Sequence, residues 1–168
     1  MDARSRPLDV GFEVPYLVGT FRGQFRDIEG RLVINEGGTG TLEGSARVAS
    51  VDVKDEILAG HLQTPDFFDA ERFPEIRFRA EGIEVNGGEV RGSGELTIKG
   101  VTKAVEFTGS ITAPAPDAYG RDRVGAVLSA TVDRHDFGVS WNQPVPGGGN
   151  ALGDEVTINA ELFFTEAE

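Results

Sequence analysis

The chain has 168 residues, 23 of them Gly and none Cys, with 16 basic against 28 acidic side chains and a formal net charge of -12. The length fits one domain spanning 1–168, and the acidic balance argues against partners that need a basic face, a nucleic-acid backbone or an anionic membrane. Without Cys there are no disulfides, thiol catalysis or thiolate metal sites, and no apolar run is long enough to predict stable membrane insertion. Met1-Asp2-Ala3-Arg4-Ser5-Arg6-Pro7 lacks the apolar segment of a signal peptide, so the chain as it stands reads as cytoplasmic; a trimmed leader would make it periplasmic or secreted.

Apolar residues recur with period two, the mark of half-buried strands. Val10, Phe12, Val14 and Tyr16 open the series, followed by Phe21, Gly23 and Phe25. Leu32 and Ile34 continue the same long strand beyond a bend at Glu29-Gly30. Leu42, Gly44, Ala46 and Val48 come next. One helix is predicted over 54–62, capped by Asp52 and ended by Pro65, with a short turn at Asp66-Phe67-Phe68-Asp69 behind it. Strands resume with Ile76, Phe78 and Ala80, and a parity slip at Gly82-Ile83 predicts a glycine bulge. Sets built on Leu96 and Ile98, on Phe107 and Gly109, on Leu128 and Ala130, and on Ile158 and Phe164 complete the chain. Turns fall at Glu36-Gly37-Gly38, Asn86-Gly87-Gly88, Lys99-Gly100, Tyr119-Gly120 and 146–150. Eight or nine antiparallel strands must hide their edges in a closed barrel or a two-sheet sandwich, and long strands with short turns favour the barrel.

The apolar face carries large residues, Phe12, Tyr16, Phe21, Phe25, Phe78, Phe107 and Leu128, interleaved with Gly23, Gly44, Gly92, Gly94, Gly109, Ala80, Ala126, Ala130 and Ala160. Two readings stand open. The small residues leave an interior volume that a ligand fills, or they are kinks that let strands coil tightly. An apolar, aromatic-lined interior would suit a long hydrocarbon chain.

Catalytic chemistry is sparse. The two histidines, His61 and His135, lack metal-ligand spacing. His135-Asp136 admits an acid/base reading beside the plainer one of a turn cap. Asp66, Asp69 and Glu71 read as the wet side of a lid whose Phe67, Phe68 and Phe73 point inward. Gly38-Thr39-Gly40 and Gly92-Ser93-Gly94 lie in strand context and match no phosphate loop. Trp141, the one Trp, either lines a barrel mouth or packs ordinarily.

The segment from His61 to Phe78, with Asp66-Phe67-Phe68-Asp69, Phe73-Pro74 and Ile76-Arg77-Phe78, resembles the signature of the YceI-like, polyisoprenoid-binding family. Gly94–Lys103, Arg134-His135-Asp136-Phe137-Gly138 and Gly153–Ile158 follow in the family's order, and Val10–Val14 with Arg22–Phe25 match its opening strands. The resemblance implies an all-β, lipocalin-like up-and-down antiparallel barrel of about eight strands with one short helix. It implies a long-chain isoprenoid, an isoprenoid quinone or polyprenyl phosphate, carried in the interior, with no enzymatic activity, no cofactor and often a homodimer. The chain is expected to line its interior with Phe12, Val14, Tyr16, Phe21, Phe25, Phe67, Phe68, Phe73, Ile76, Phe78, Leu96, Ile98, Phe107, Leu128 and Phe137, with His61, Tyr16 or Trp141 near a polar head. Tyr16 stands where the family often has His, and the family's opening Trp is missing. A barrel enzyme using His61 or His135, and a filled interaction module, are the competing readings.

Overall fold

In the computed structural model the described residues are 2–35, 39–112, 115–116, 118–120 and 122–166. The strands are β1 (Asp2–Tyr16), β2 (Gly19–Phe25), β3 (Ile28–Ile34), β4 (Thr39–Arg47), β5 (Val51–Asp52), β6 (Glu75–Asn86), β7 (Glu89–Ile98), β8 (Val101–Ile111), β9 (Ala115–Pro116), β10 (Asp122–Asp133) and β11 (Glu155–Glu166). Helix α1 (Glu56–Leu62) lies between β5 and β6. The predicted turn at Glu36-Gly37-Gly38 lies outside the described residues.

Every pairing is antiparallel, and the order β11-β10-β8-β7-β6-β4-β3-β1 returns on itself because β1 also pairs with β11. Eight strands therefore close an up-and-down barrel. Closure removes the free edges that a sheet of this size would otherwise expose. β2 and β3 act as one kinked strand against β1: Val10↔Phe25 and Arg4↔Arg31 fall on one continuous register. The kink sits at Arg26-Asp27, three residues before the Glu29-Gly30 bend read from the sequence. The slip at Gly82 is a bulge, with φ 64° at the glycine and shifted register on both neighbouring strands. It returns Ile83 to the interior beside Ala80, and both are buried.

The helix is capped one turn later than the sequence suggested. Asp55, not Asp52, is the N-cap, accepting hydrogen bonds from the Ile57 and Leu58 amides. Asp52 instead sits in β5 and pairs with Arg26 across the β2 edge. β5 continues a short flap, β2–β5, that feeds the helix over one end of the barrel.

Two apolar clusters fill the ends. The floor cluster holds Leu32, Leu42, Ala80, Ile83, Val90, Phe107, Val124, Ala126, Leu162 and Phe164. The mouth cluster brings Leu62 and Phe67, beneath the helix, against Val14, Leu96, Val105, Phe137 and Leu152.

Candidate functional site

Between the two clusters lies a cavity of about 610 Å3 with an almost wholly apolar wall. Of the residues expected at the interior, Phe12, Val14, Tyr16, Phe21, Phe25, His61, Phe67, Phe68, Ile76, Phe78, Leu96, Ile98, Phe107, Leu128, Phe137 and Trp141 all line it. Phe73 does not. Its ring lies on the Lys99-Gly100 turn, close enough that a Cβ on Gly100 would come within 2.5 Å, and Arg72 stacks on it. The turn after the helix directs Phe67 and Phe68 to the cavity, and Pro74 then restarts the chain outside it.

Gly44, with Ala130 and Ala160, lines the cavity as the ligand-space reading expects, while the other interior glycines have a use outside both readings. A Cβ on Gly23 would meet the Phe12 ring at 2.5 Å, one on Gly92 the Phe107 ring at 2.8 Å, and one on Gly94 the Phe78 ring at 2.7 Å. Each glycine is a seat that lets a neighbouring phenylalanine lie flat against the wall. Phe12 faces Gly23 directly across β1–β2, and Phe107 faces Gly92 across β7–β8. Gly109 serves close approach, because a Cβ there would stand 2.0 Å from the Val127 carbonyl. Of these five glycines Gly44 alone would take a Cβ without a clash, its nearest neighbour being the Glu29 carbonyl at an ordinary contact distance of 3.5 Å. The cavity is thus paved with rings that tilt against one another, such as Phe78 on Phe107 at 5.5 Å and Phe12 on Phe25 at 5.7 Å.

The mouth is built from α1, the β1–β2 hairpin and the stretch 138–153. His61 Nε2–H donates to Asp66 Oδ2 at 2.9 Å, and its ring meets Trp141 and Phe67 edge-on at 4.9 and 5.0 Å. Asp66 is exposed, as expected of a lid acid, but Asp69 is 4 % exposed with φ 51°, turned inward rather than to water. His135 lies outside the cavity, paired with Asp154 at 2.8 Å, while Asp133 caps its turn. It therefore has the geometry of a turn-end pair, off the cavity lining. Among the described residues no cluster of three or more His, Asp or Glu could hold a metal ion.

Arg134 is the residue that sequence reading passed over. It is 5 % exposed, lines the cavity, and holds the mouth together. Its Nε donates to Gly153 O at 2.7 Å and its Nη1 to Val139 O and Trp141 O, both at 2.8 Å. Among the described residues no carboxylate lies in ion-pair contact with it. Burial pushes its guanidinium below the ordinary arginine value, opposed by the more distant charges of Asp154 and Asp133. Ile57 and Leu58 of the helix also line the cavity unannounced. Arg134 sits in a motif that reads as a strand end, and nothing in that motif says that its partners are carbonyls 5, 7 and 19 residues further along the chain.

Known proteins resemble this chain in sequence and in fold. The UPF0312 protein SA2479 of Staphylococcus aureus strain N315 is 29% identical over 164 residues, covering 94% of this chain and 92% of its own. The crystal structure of the Campylobacter jejuni YCEI protein superposes with a TM-score of 0.79 at 23% identity, covering 90% of this chain and 88% of that one. A polyisoprenoid binding domain from Saccharophagus degradans gives 0.74 at 12% identity, covering 98% of both chains. The sequence profile of the YceI-like domain matches residues 5–164, and with the closed barrel, its single helix and its cavity this chain belongs to the YceI-like family.

Proposed function

We propose that the protein binds one long apolar chain in the barrel and carries or sequesters it, the ligand being an isoprenoid amphiphile. The observation that carries this reading is the cavity itself. A sealed dry void of 610 Å3 would cost on the order of 15 kcal/mol at about 24 cal/mol per Å3, as much as the whole stability of an ordinary domain. Water filling the space would face an aromatic wall with few partners. A hydrocarbon chain needs none, and gains about 0.8 kcal/mol for each CH2 it buries. The fold shared with a polyisoprenoid binding domain supports the choice of an isoprenoid over other chains. A polar head belongs at the mouth, where Tyr16, His61, Trp141 and the buried cation Arg134 stand together on the lining.

Organic extraction of the purified protein followed by mass spectrometry tests this directly. One prenyl lipid at near-stoichiometric amount is the expected result. A stable protein that yields no lipid, and takes up no prenyl alcohol on titration, would refute it. His61 paired with Asp66 on the cavity rim supports a second reading, acid/base chemistry on the bound chain. Incubation with a prenyl lipid decides between them: a carrier returns it unchanged, and an enzyme returns a rearranged product that His61→Ala abolishes while binding persists.

A further inference from the structure

Four of the six large apolar side chains that stand exposed among the described residues, Tyr16, Leu17, Val18 and Ile57, belong to the mouth end of the barrel. Tyr16 and Ile57 are on the cavity lining; Leu17 and Val18 are not. These two form the loop of the β1–β2 hairpin, closed by the pair Tyr16↔Gly19. Leu17 has φ 53° while Val18 has an ordinary negative φ. In a two-residue hairpin of that kind the first loop position is normally glycine, and a bulky side chain there is strained. Val18 is fully exposed and Leu17 is 61% exposed, so packing returns little for that strain. Of the other tight hairpins, Gly87-Gly88 uses glycine at both positive-φ positions, and Lys99-Gly100 places lysine, φ 52°, at the first, where its Nζ donates to the carbonyls of Pro65 and Gly138, a return that Leu17 lacks. The fold does not need Leu17-Val18.

A second observation concerns charge. Residues 14–21 and 138–153 contain no Asp, Glu, Lys or Arg, although charged residues make up 26% of the chain, a frequency that would put about six in them. The structure lays the two segments side by side. The Leu17 amide donates to Ala151 O at 2.8 Å, the Gly153 amide to Pro15 O at 2.7 Å, and Tyr16 bridges to Leu152. The apolar tip therefore stands on an uncharged face that surrounds one side of the mouth and includes Tyr16 and Trp141.

We propose that this face docks on an electrically neutral, zwitterionic phospholipid bilayer. Leu17 and Val18 enter the boundary between head groups and acyl chains, which sets the cavity mouth against the lipid phase from which a chain is taken or to which it returns. The proposal rests on the ligand reading above. The uncharged side of the rim, formed by 14–21 and 138–153, can approach head groups without stripping water from ions, and Tyr and Trp are at home at that depth. The net charge of -12 turns the protein away from anionic lipid. Two aliphatic side chains give weak, reversible attachment, as a shuttle between membranes requires.

The test is flotation with phosphatidylcholine vesicles, using the wild type and the double variant L17G/V18N, whose loop has ordinary hairpin chemistry. Wild-type protein floats with the vesicles, and the variant partitions about tenfold or more weakly, while its thermal stability is undiminished. Uptake of a soluble fluorescent polyene alcohol in vesicle-free buffer stays the same in both. Brominated phosphatidylcholine quenches the single Trp141 in the wild type only. Equal flotation of the two proteins, or attachment that requires phosphatidylglycerol and disappears in salt, would overturn the docking proposal. Failure to take up the polyene in solution would count against the ligand reading and leave the vesicle result to judge docking by itself.

Discussion

The two ends of this barrel obey different rules. At the floor, Val124 and Ala80 are completely buried and Phe164 is 1% exposed, and the hairpin beside them turns through Gly87-Gly88. At the mouth, Tyr16, Leu17, Val18 and Ile57 stand in solvent, and a leucine occupies a glycine position. Arg134, the buried cation there, is bonded to carbonyls rather than to a carboxylate. The strained, exposed tip at the mouth costs stability that the floor does not forgo. Local rules are broken where a surface has a task beyond holding the fold, so the floor is the structural end and the mouth the working end.

Substitutions that separate the ends should separate stability from binding. The largest effect is expected at the floor, where Phe164→Ala should lower stability by about 3–5 kcal/mol in urea unfolding by opening a void in filled packing. Arg134→Met should cost about 3 kcal/mol, since it strands the buried carbonyl of Val139 and the half-buried ones of Trp141 and Gly153. Its signature is local: hydrogen exchange should quicken across 138–153 and leave β7 and β8 protected. Uniform loss of protection would show that the mouth is not a separate unit.

Gly109→Ala drives a methyl into the Val127 carbonyl and should cost about 1–3 kcal/mol, whereas Gly44→Ala should change stability by less than about 0.5 kcal/mol. Comparable melting temperatures for the two variants would contradict the assignment of interior glycines to ring seats and close approach. Ala130→Trp should have a small effect on stability, because its indole fills existing space on the cavity wall. It should abolish uptake of a prenyl chain, measured by fluorescence titration; retained uptake would place the chain elsewhere.

Much of the architecture is legible in the residue pattern. Period-two alternation marks the strands, Gly82 marks the bulge, and the Asp66-Phe67-Phe68-Asp69 segment marks the turn that brings two rings to the cavity. The cavity wall was readable because side-chain parity in a strand is fixed by its pleat. Phe67, Phe68, Phe73 and Phe137 lie in no strand, so parity says nothing about them and their placement rested on the family resemblance; of the four, Phe73 is turned away from the cavity. Asp52 and Asp55 were exchanged as caps because both are acids before one apolar run, and only the pairing of β5 with β2 removes Asp52 from the helix.

The sequence by itself determined the antiparallel strands and the apolar inner face, which follow from local periodicity and turn chemistry, and it favoured a barrel over a sandwich, the barrel that the family resemblance also implied. Tertiary structure alone decided what the interior glycines do, since a missing Cβ is either space or a seat according to which ring lies across the ladder. It alone decided the role of Arg134, whose hydrogen-bond partners lie up to 19 residues away. It also joined two uncharged segments more than a hundred residues apart into one face, because such proximity is set by which strands pair and not by any stretch of the chain.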